Sequence, residues 1–264
     1  MIDIRPFETL GAADHGWLNA RHHFSFASYH DPARMGWGAI RVWNDDEIAA
    51  RSGFPPHPHS DMEIITSVRE GVITHQDSLG NQGRTEAGDV QVMSAGTGVR
   101  HAEYNLEDER TTLFQIWVLT DQPGAPPSWG AKQFPKGDRA GSFITLASGF
   151  AEDADALRIN AAARVMGATL EAGEMAELRL DPSRHVYLVG VGGAIEVNGR
   201  RAEPRDGVAI TGEERVTIRA IDDAEIVLVD ARECKSSPAA RPLHRTSCGL
   251  PPPALLGEDL LRSA

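Results

Sequence analysis

The hydrophobic positions of this chain fall in short runs bounded by Gly, Pro, Asp and Asn, and several of them alternate with polar residues at the period of a strand. Phe24 and Phe26 flank Ser25, and Ile40 and Val42 flank Arg41, so residues 15–43 predict short strands with a loop at Tyr29-His30-Asp31-Pro32. Ile64-Ile65-Thr66-Ser67-Val68 is an apolar, β-branched run that ends at Glu70-Gly71. Val72-Ile73-Thr74-His75 and the loop Ser78-Leu79-Gly80-Asn81-Gln82-Gly83 predict a hairpin, with His75 on its surface, and Leu113-Phe114-Gln115-Ile116-Trp117-Val118 predicts a long buried strand. Prolines and glycines between Pro123 and Gly130 predict a linker. Strand-like runs then resume at Val165–Leu170, Ala176–Leu180, His185–Val191, Ala194–Val197, Val208–Ile210 and Glu225–Val229. Short strands at this spacing predict an all-β protein built as barrels or sandwiches.

The two halves share an order of features. A strand near a histidine is followed by a glycine-marked hairpin and then by a Gly-Asp or Asp-Gly turn, Gly88-Asp89-Val90 in one half and Asp206-Gly207-Val208 in the other. That order hints at an internal duplication. The expected division is a domain over residues 1–130, a second over 131–232, and a poorly ordered tail over 233–264 in which Leu255–Leu261 forms a short helix.

Composition narrows the class. At 264 residues and 41% hydrophobic content, the chain can bury a sizeable core. No stretch approaches the roughly 18 consecutive apolar residues of a membrane span, and the amino terminus has no basic region leading into an apolar one, so a cytoplasmic protein is expected. A net charge of −12 argues against broad contact with nucleic acid. Both cysteines, Cys234 and Cys248, lie in the final segment, where they cannot form a disulfide scaffold for the body and are not expected to be metal ligands.

Candidate chemistry is concentrated at two places. His57-Pro58-His59 follows a loop of Gly53 and two prolines, and His101-Ala102-Glu103 follows a bend marked by Gly96 and Gly98. On a strand, residues i and i+2 share a face, so each pair turns two donors to one side. Two imidazoles from one strand, with an imidazole and a carboxylate from another, suit iron, nickel, copper, manganese or zinc.

These residues carry a resemblance. His57–His59 through Glu63, Gln76–Asn81, Gly88–Met93, Ala95–Gly98 and His101–Glu103 closely resemble the pirin family of the cupin superfamily. His23-Phe24-Ser25-Phe26 and Asn44-Asp45-Asp46 are similar to bacterial members described as quercetin 2,3-dioxygenases. The similarity runs from about residue 1 to about residue 232. It departs from the general cupin pattern in two places: Gly53 stands four residues before His57 rather than six, and Ser94-Ala95-Gly96 replaces a Pro-x-Gly with four residues rather than two before His101.

The resemblance implies a bicupin with one divalent transition metal in the amino-terminal barrel, iron(II) first among iron, zinc, nickel, copper, manganese and cobalt, and a vacant second barrel. It implies His57, His59, His101 and Glu103 as ligands. Glu63, the ligand in many cupins, is then read as a residue behind the site or in a loop. The implied reaction opens the central ring of a flavonol such as quercetin with dioxygen and releases carbon monoxide. Glu103 is the candidate base for the 3-hydroxyl proton. Phe24, Phe26, Phe54 and Met93 are candidates for an apolar slot, and His22 and His23 stand either at its mouth or on the surface. A monomer is expected. Two other functions use the same donors: a non-catalytic regulatory protein that binds a protein partner, and zinc-assisted hydrolysis.

Overall fold

The computed structural model describes residues 1–234, which hold strands and short 3-10 turns and no α-helix. The expected tail over 233–264 lies outside the described residues apart from Glu233 and Cys234. Two compact units are distinguished, one built on Gly11–Gln133 and the other on Met1–Leu10 with Phe134–Glu233. The first ten residues therefore depart from the expected 1–130 domain. The strand β1 (Ile2–Arg5) pairs Ile2 with Ile210 and Ile4 with Val208, and Ile2 enters the apolar core of the later unit. The alternation Ile-Asp-Ile-Arg fits an edge strand that buries one face.

The earlier unit contains β2 (Gly11–Asp14), β3 (Leu18–His22), β4 (Ile40–Ile48), β5 (Ser52–His59), β6 (Met62–Glu70), β7 (Val72–Asp77), β8 (Gln82–Glu86), β9 (Val90–Ser94), β10 (Val99–Asn105), β11 (Thr111–Leu119) and β12 (Ser128–Lys132). They form a sheet in the order β12-β9-β6-β11-β4-β3-β2 and a smaller one in the order β5-β10-β7-β8. The later unit contains β13 (Ile144–Ser148), β14 (Leu157–Arg158), β15 (Ala163–Leu170), β16 (Met175–Arg179), β17 (His185–Val191), β18 (Ile195–Val197), β19 (Arg200–Ala202), β20 (Gly207–Thr211), β21 (Arg215–Ala220) and β22 (Ala224–Ala231). Its sheets run β1-β20-β17-β22-β15-β13-β14 and β16-β21-β18-β19. The two pairs of orders match strand for strand through the centre of each sheet. Each unit is a two-sheet cupin barrel, and the duplication hinted at by the Gly-Asp and Asp-Gly turns is present in the topology.

Two local expectations are corrected. Phe24 and Phe26 do not form a strand: Phe26 makes an isolated bridge with Tyr29, and the strand lies earlier, at Leu18–His22. The Pro123–Gly130 linker ends early, because Ser128 and Trp129 already pair with Ser94 and Met93 in β12.

Strand alternation sets the interior of the earlier unit. Along β4, Val42, Asn44, Asp46 and Ile48 share a face; along β6, Ile64, Thr66 and Val68; along β11, Leu113, Gln115 and Trp117. The outer members of these series fall into two apolar clusters, one with Val42, Ile64 and Trp117 and the other with Ile48, Val68 and Leu113. A belt of polar side chains lies between them in each strand, and its Gln115 donates to Glu103 on β10 of the smaller sheet.

Candidate metal centre

The strand that presents the first two histidines contains Pro55, Pro56 and Pro58 and would fail as a central strand, since proline donates nothing to a ladder. β5 stands at the edge of its sheet and, among the described residues, pairs only with β10. The sequence reading took Gly53 and the prolines as a loop; they belong to the strand. His57 pairs with His101 and Phe54 with Glu103, so β5 carries one extra residue between them, a bulge. Gly53 permits the approach, because a Cβ there would lie 2.3 Å from the Glu103 carbonyl oxygen.

His57, His59 and His101 converge. Their ring centroids are 4.4 to 5.0 Å apart, and one nitrogen from each lies within 4.8 Å of the others. Burial pushes the His57 imidazole down to about 4 and that of His59 to about 3, and it lowers His101 strongly as well. All three are neutral at pH 7 and offer lone pairs. Nδ1 of His57 donates to the Pro55 carbonyl at 2.7 Å, which leaves Nε2 as its free donor atom. Nε2 of His101 is buried and has no hydrogen-bond partner. An unpartnered imidazole nitrogen inside a protein is costly, and a cation among three such rings would satisfy it.

Glu103 is fully buried and lines the same cavity as the three histidines. Its ligand atom lies within 4.8 Å of those of His101 and His75, a second group that shares His101 with the first. Its oxygens accept from the amides of Gln91 at 2.6 Å and Gln115 at 2.7 Å. The Thr66 hydroxyl, with one proton, donates either to Glu103 at 3.1 Å or to Gln115 at 2.9 Å. Burial raises the Glu103 pKa, opposed by His75 and by the hydrogen bonds from Thr66, Gln115 and Gln91. A carboxylate has about four lone-pair positions, so the amides and the hydroxyl leave room for one further partner, a cation or a proton.

His75 was expected on the surface of a hairpin and is wholly buried. It stacks on Trp129 with centroids 5.0 Å apart and planes 11° from parallel. Its Nε2 faces the Asp77 carboxylate at 3.1 Å, and its Nδ1 lies 3.5 Å from Nδ1 of His101. Burial works against the Asp77 anion, but hydrogen bonds from Asn81, His75 and the Leu79 N–H win and keep its pKa low. With the His75 proton on Nε2, its Nδ1 accepts from His101 and holds the His101 Nε2 lone pair toward the other rings. A strand pairing that sets Glu103 opposite His75 buries this side chain; the sequence signal was the i,i+2 pair His75–Asp77, the same spacing as the other donor pairs.

The cavity is lined by side chains from β3, β4, β5, β6, β10 and β11. Of the four apolar candidates, Phe26 and Phe54 line it, whereas Phe24 is buried elsewhere and Met93 belongs to the apolar cluster of the sheet. His22 lines the cavity and His23 is fully buried outside its lining, so neither is a surface residue. Glu63 lies on strand β6, not in a loop, and accepts from Ser94. Trp117, Ile64, Asn44, Asp46 and Gln115 also line the cavity and were not anticipated as its walls.

Comparison with known proteins agrees with this geometry. Residues 4–118 match the Pirin family model and residues 145–231 the model of the quercetinase C-terminal cupin domain. A pirin-like protein of Caulobacter vibrioides is 66% identical, over 88% of this chain and 100% of that protein. The quercetin 2,3-dioxygenase of Escherichia coli K12 is 41% identical, over 87% of this chain and 98% of the other. The crystal structure of the bacterial pirin YhhW of Escherichia coli in complex with nickel(II) superposes with a TM-score of 0.83 at 40% identity, covering 88% of this chain and all of that one.

Proposed function

This chain belongs to the pirin family, and from that premise we propose that it is a metal-dependent dioxygenase, one that opens the central ring of a flavonol such as quercetin with dioxygen and releases carbon monoxide. One observation carries the reading. Three neutral imidazoles converge, those of His57 and His101 buried and that of His59 half-buried, with the Nε2 of His101 unpartnered, on a cavity whose other walls include Phe26, Phe54 and Trp117. His57, His59, His101 and Glu103 are the residues that would hold one divalent cation, iron(II) in our reading. The name of the E. coli structure makes nickel(II) the natural competitor.

When bound, such a metal supplies Lewis acidity that lowers the pKa of a flavonol 3-hydroxyl, together with its reactivity toward dioxygen. Glu103 takes the hydroxyl proton, its buried carboxylate kept in place by Gln91 and Gln115. Phe26, Phe54 and Trp117 orient the flat ring system and keep bulk water from the electron-rich enolate. Both oxygen atoms of dioxygen end in the ring-opened ester, and the carbon that carried the hydroxyl leaves as carbon monoxide, so no external reductant is consumed.

The test is anaerobic loading with iron(II) or nickel(II), then aerobic measurement of quercetin loss, oxygen uptake and carbon monoxide, run beside His59→Ala. Stoichiometric carbon monoxide that disappears in the variant supports the reading. Turnover unchanged in His59→Ala, or none with either metal, overturns it in favour of the partner-binding role.

A further inference from the structure

β4 carries three successive polar residues, Asn44-Asp45-Asp46, through the middle of a seven-stranded sheet. Alternation sends the two aspartates to opposite faces. Asp45 pairs with Arg69, while Asp46 lines the cavity beside Asn44 and Gln115 in the lining. Asp46 is 2% exposed, and its Oδ1 is buried without a hydrogen-bond partner. Leaving such a group unsatisfied is costly, and a stable core avoids it by an apolar residue of similar shape. Burial, reinforced by the neighbouring Asp45 and Glu103 and only partly offset by Arg69, raises its pKa well above the ordinary aspartate value, and the unpartnered Oδ1 stands ready to accept from a ligand hydroxyl.

The adjacent strand adds a second polar group. His22 stands opposite Asn44 in the β3–β4 register, and both line the cavity. With Nδ1 2.8 Å from the Asn44 side-chain oxygen, the His22 ring proton is fixed there and Nε2 remains as an acceptor. Phe26 and Tyr29 pack against the ring. The cavity thus holds a carboxyl and an imidazole with unused hydrogen-bonding capacity, set among aromatic walls and separate in sequence from the four donors.

We propose that Asp46, together with His22, forms a hydroxyl-binding subsite that reads a phenolic hydroxyl of a planar, polyhydroxylated aromatic ligand, and so sets which hydroxylation pattern the cavity accepts. This rests on the flavonol reading and names the group that distinguishes one flavonol from another. Asp46 touches the ligand but transfers nothing in this assignment.

The experiment measures binding, not turnover, with zinc-loaded protein under anaerobic conditions. Quercetin is compared with a flavonol that carries only the 3-hydroxyl, by fluorescence titration of wild type, Asp46→Leu and Asp46→Asn, with zinc content and melting temperature measured for each. Wild type should bind quercetin more tightly. Asp46→Leu should weaken quercetin about tenfold and leave the simpler flavonol within about twofold, whereas Asp46→Asn, which still accepts, should keep most of the preference. Equal losses for both ligands, no loss for either, or a wild type without preference would overturn the subsite; the last needs no variant to fold. Preference without oxygen uptake in either the iron- or the nickel-loaded protein would overturn the dioxygenase reading alone. Turnover without preference would overturn the subsite alone, and failure to bind either flavonol would overturn both.

Discussion

The two barrels have the same strand order and opposite interiors. In the earlier one, the inward series Val42-Asn44-Asp46-Ile48, Ile64-Thr66-Val68 and Leu113-Gln115-Trp117 each break from apolar to polar and back. In the later one, the inward residues are Val186 and Leu188, Val208 and Ile210, and Ala224, Ile226 and Leu228, without a polar interruption. The strands β5 and β10, which carry His57, His59, His101 and Glu103, correspond in sheet order to β16 and β21, where Ala176, Val216, Ile218 and Ala220 are buried in one apolar cluster. One copy of the fold is filled and the other is kept open by polar groups that support one another. The difference separates stability from chemistry: substitutions inside the later barrel should act on folding, and those inside the earlier one on metal and ligand.

The largest expected effect comes from the donors. His101→Ala should reduce bound metal, measured by atomic absorption after dialysis, to near zero while the far-ultraviolet circular dichroism is unchanged. Full metal content in that variant would break the comparison. Next is the mirror experiment. Ile218→Ala should cost about 2–5 kcal/mol in denaturant unfolding and leave metal content at wild-type level, because a buried aliphatic side chain is truncated with no donor lost. A variant that loses metal without losing stability would show that the two barrels are not separable in this way.

Acid sharpens the same contrast. His57 and His59 have pKa values of about 4 and about 3 in the folded chain, lowered chiefly by burial, against about 6.5 unfolded. The folded state therefore binds fewer protons, and their contribution to stability, intact above pH 6.5, is lost as pH falls below that value and levels off only below the folded pKa. At pH 5 each should cost the metal-free protein up to about 2 kcal/mol, at about 1.4 kcal/mol per pH unit. Urea midpoints of the metal-free protein at pH 7 and pH 5 measure the loss, and the drop should be smaller in His57→Leu.

The smallest effect should come from the residue behind the donors. His75→Ala should weaken metal binding about 10- to 100-fold in a chelator competition, since it removes the partner that fixes His101, and His75→Asn, which offers an amide oxygen, should recover part of it. No change in affinity would make His75 a packing residue for Trp129.

Much of this was legible before folding. The all-β class followed from short apolar runs between glycine and aspartate turns, and the candidate donor pairs, of which His57, His59 and His101 converge, stood out by their i,i+2 spacing. What escaped has a common cause. The sequence reading took Ile64–Val68 as an apolar, β-branched run and Leu113–Val118 as a long buried strand, whereas Thr66 and Gln115, at the period-two positions facing inward, form the belt around Glu103. His75 looked like a hairpin residue because local pattern cannot show that β10 and Trp129 cover that hairpin. Pairing partners are long-range facts; so is the docking of Ile2 and Ile4 against β20, which moved the first strand into the later unit.

The most direct measurement is anomalous diffraction from crystals of the iron-loaded protein, collected across the metal edge. The account requires one strong peak about 2.0–2.2 Å from a nitrogen of each of His57, His59 and His101 and from a carboxylate oxygen of Glu103, with none in the later barrel. A peak held by His75, His101 and Glu103 instead, or an ion that leaves His57 and His59 outside bonding distance, would contradict it.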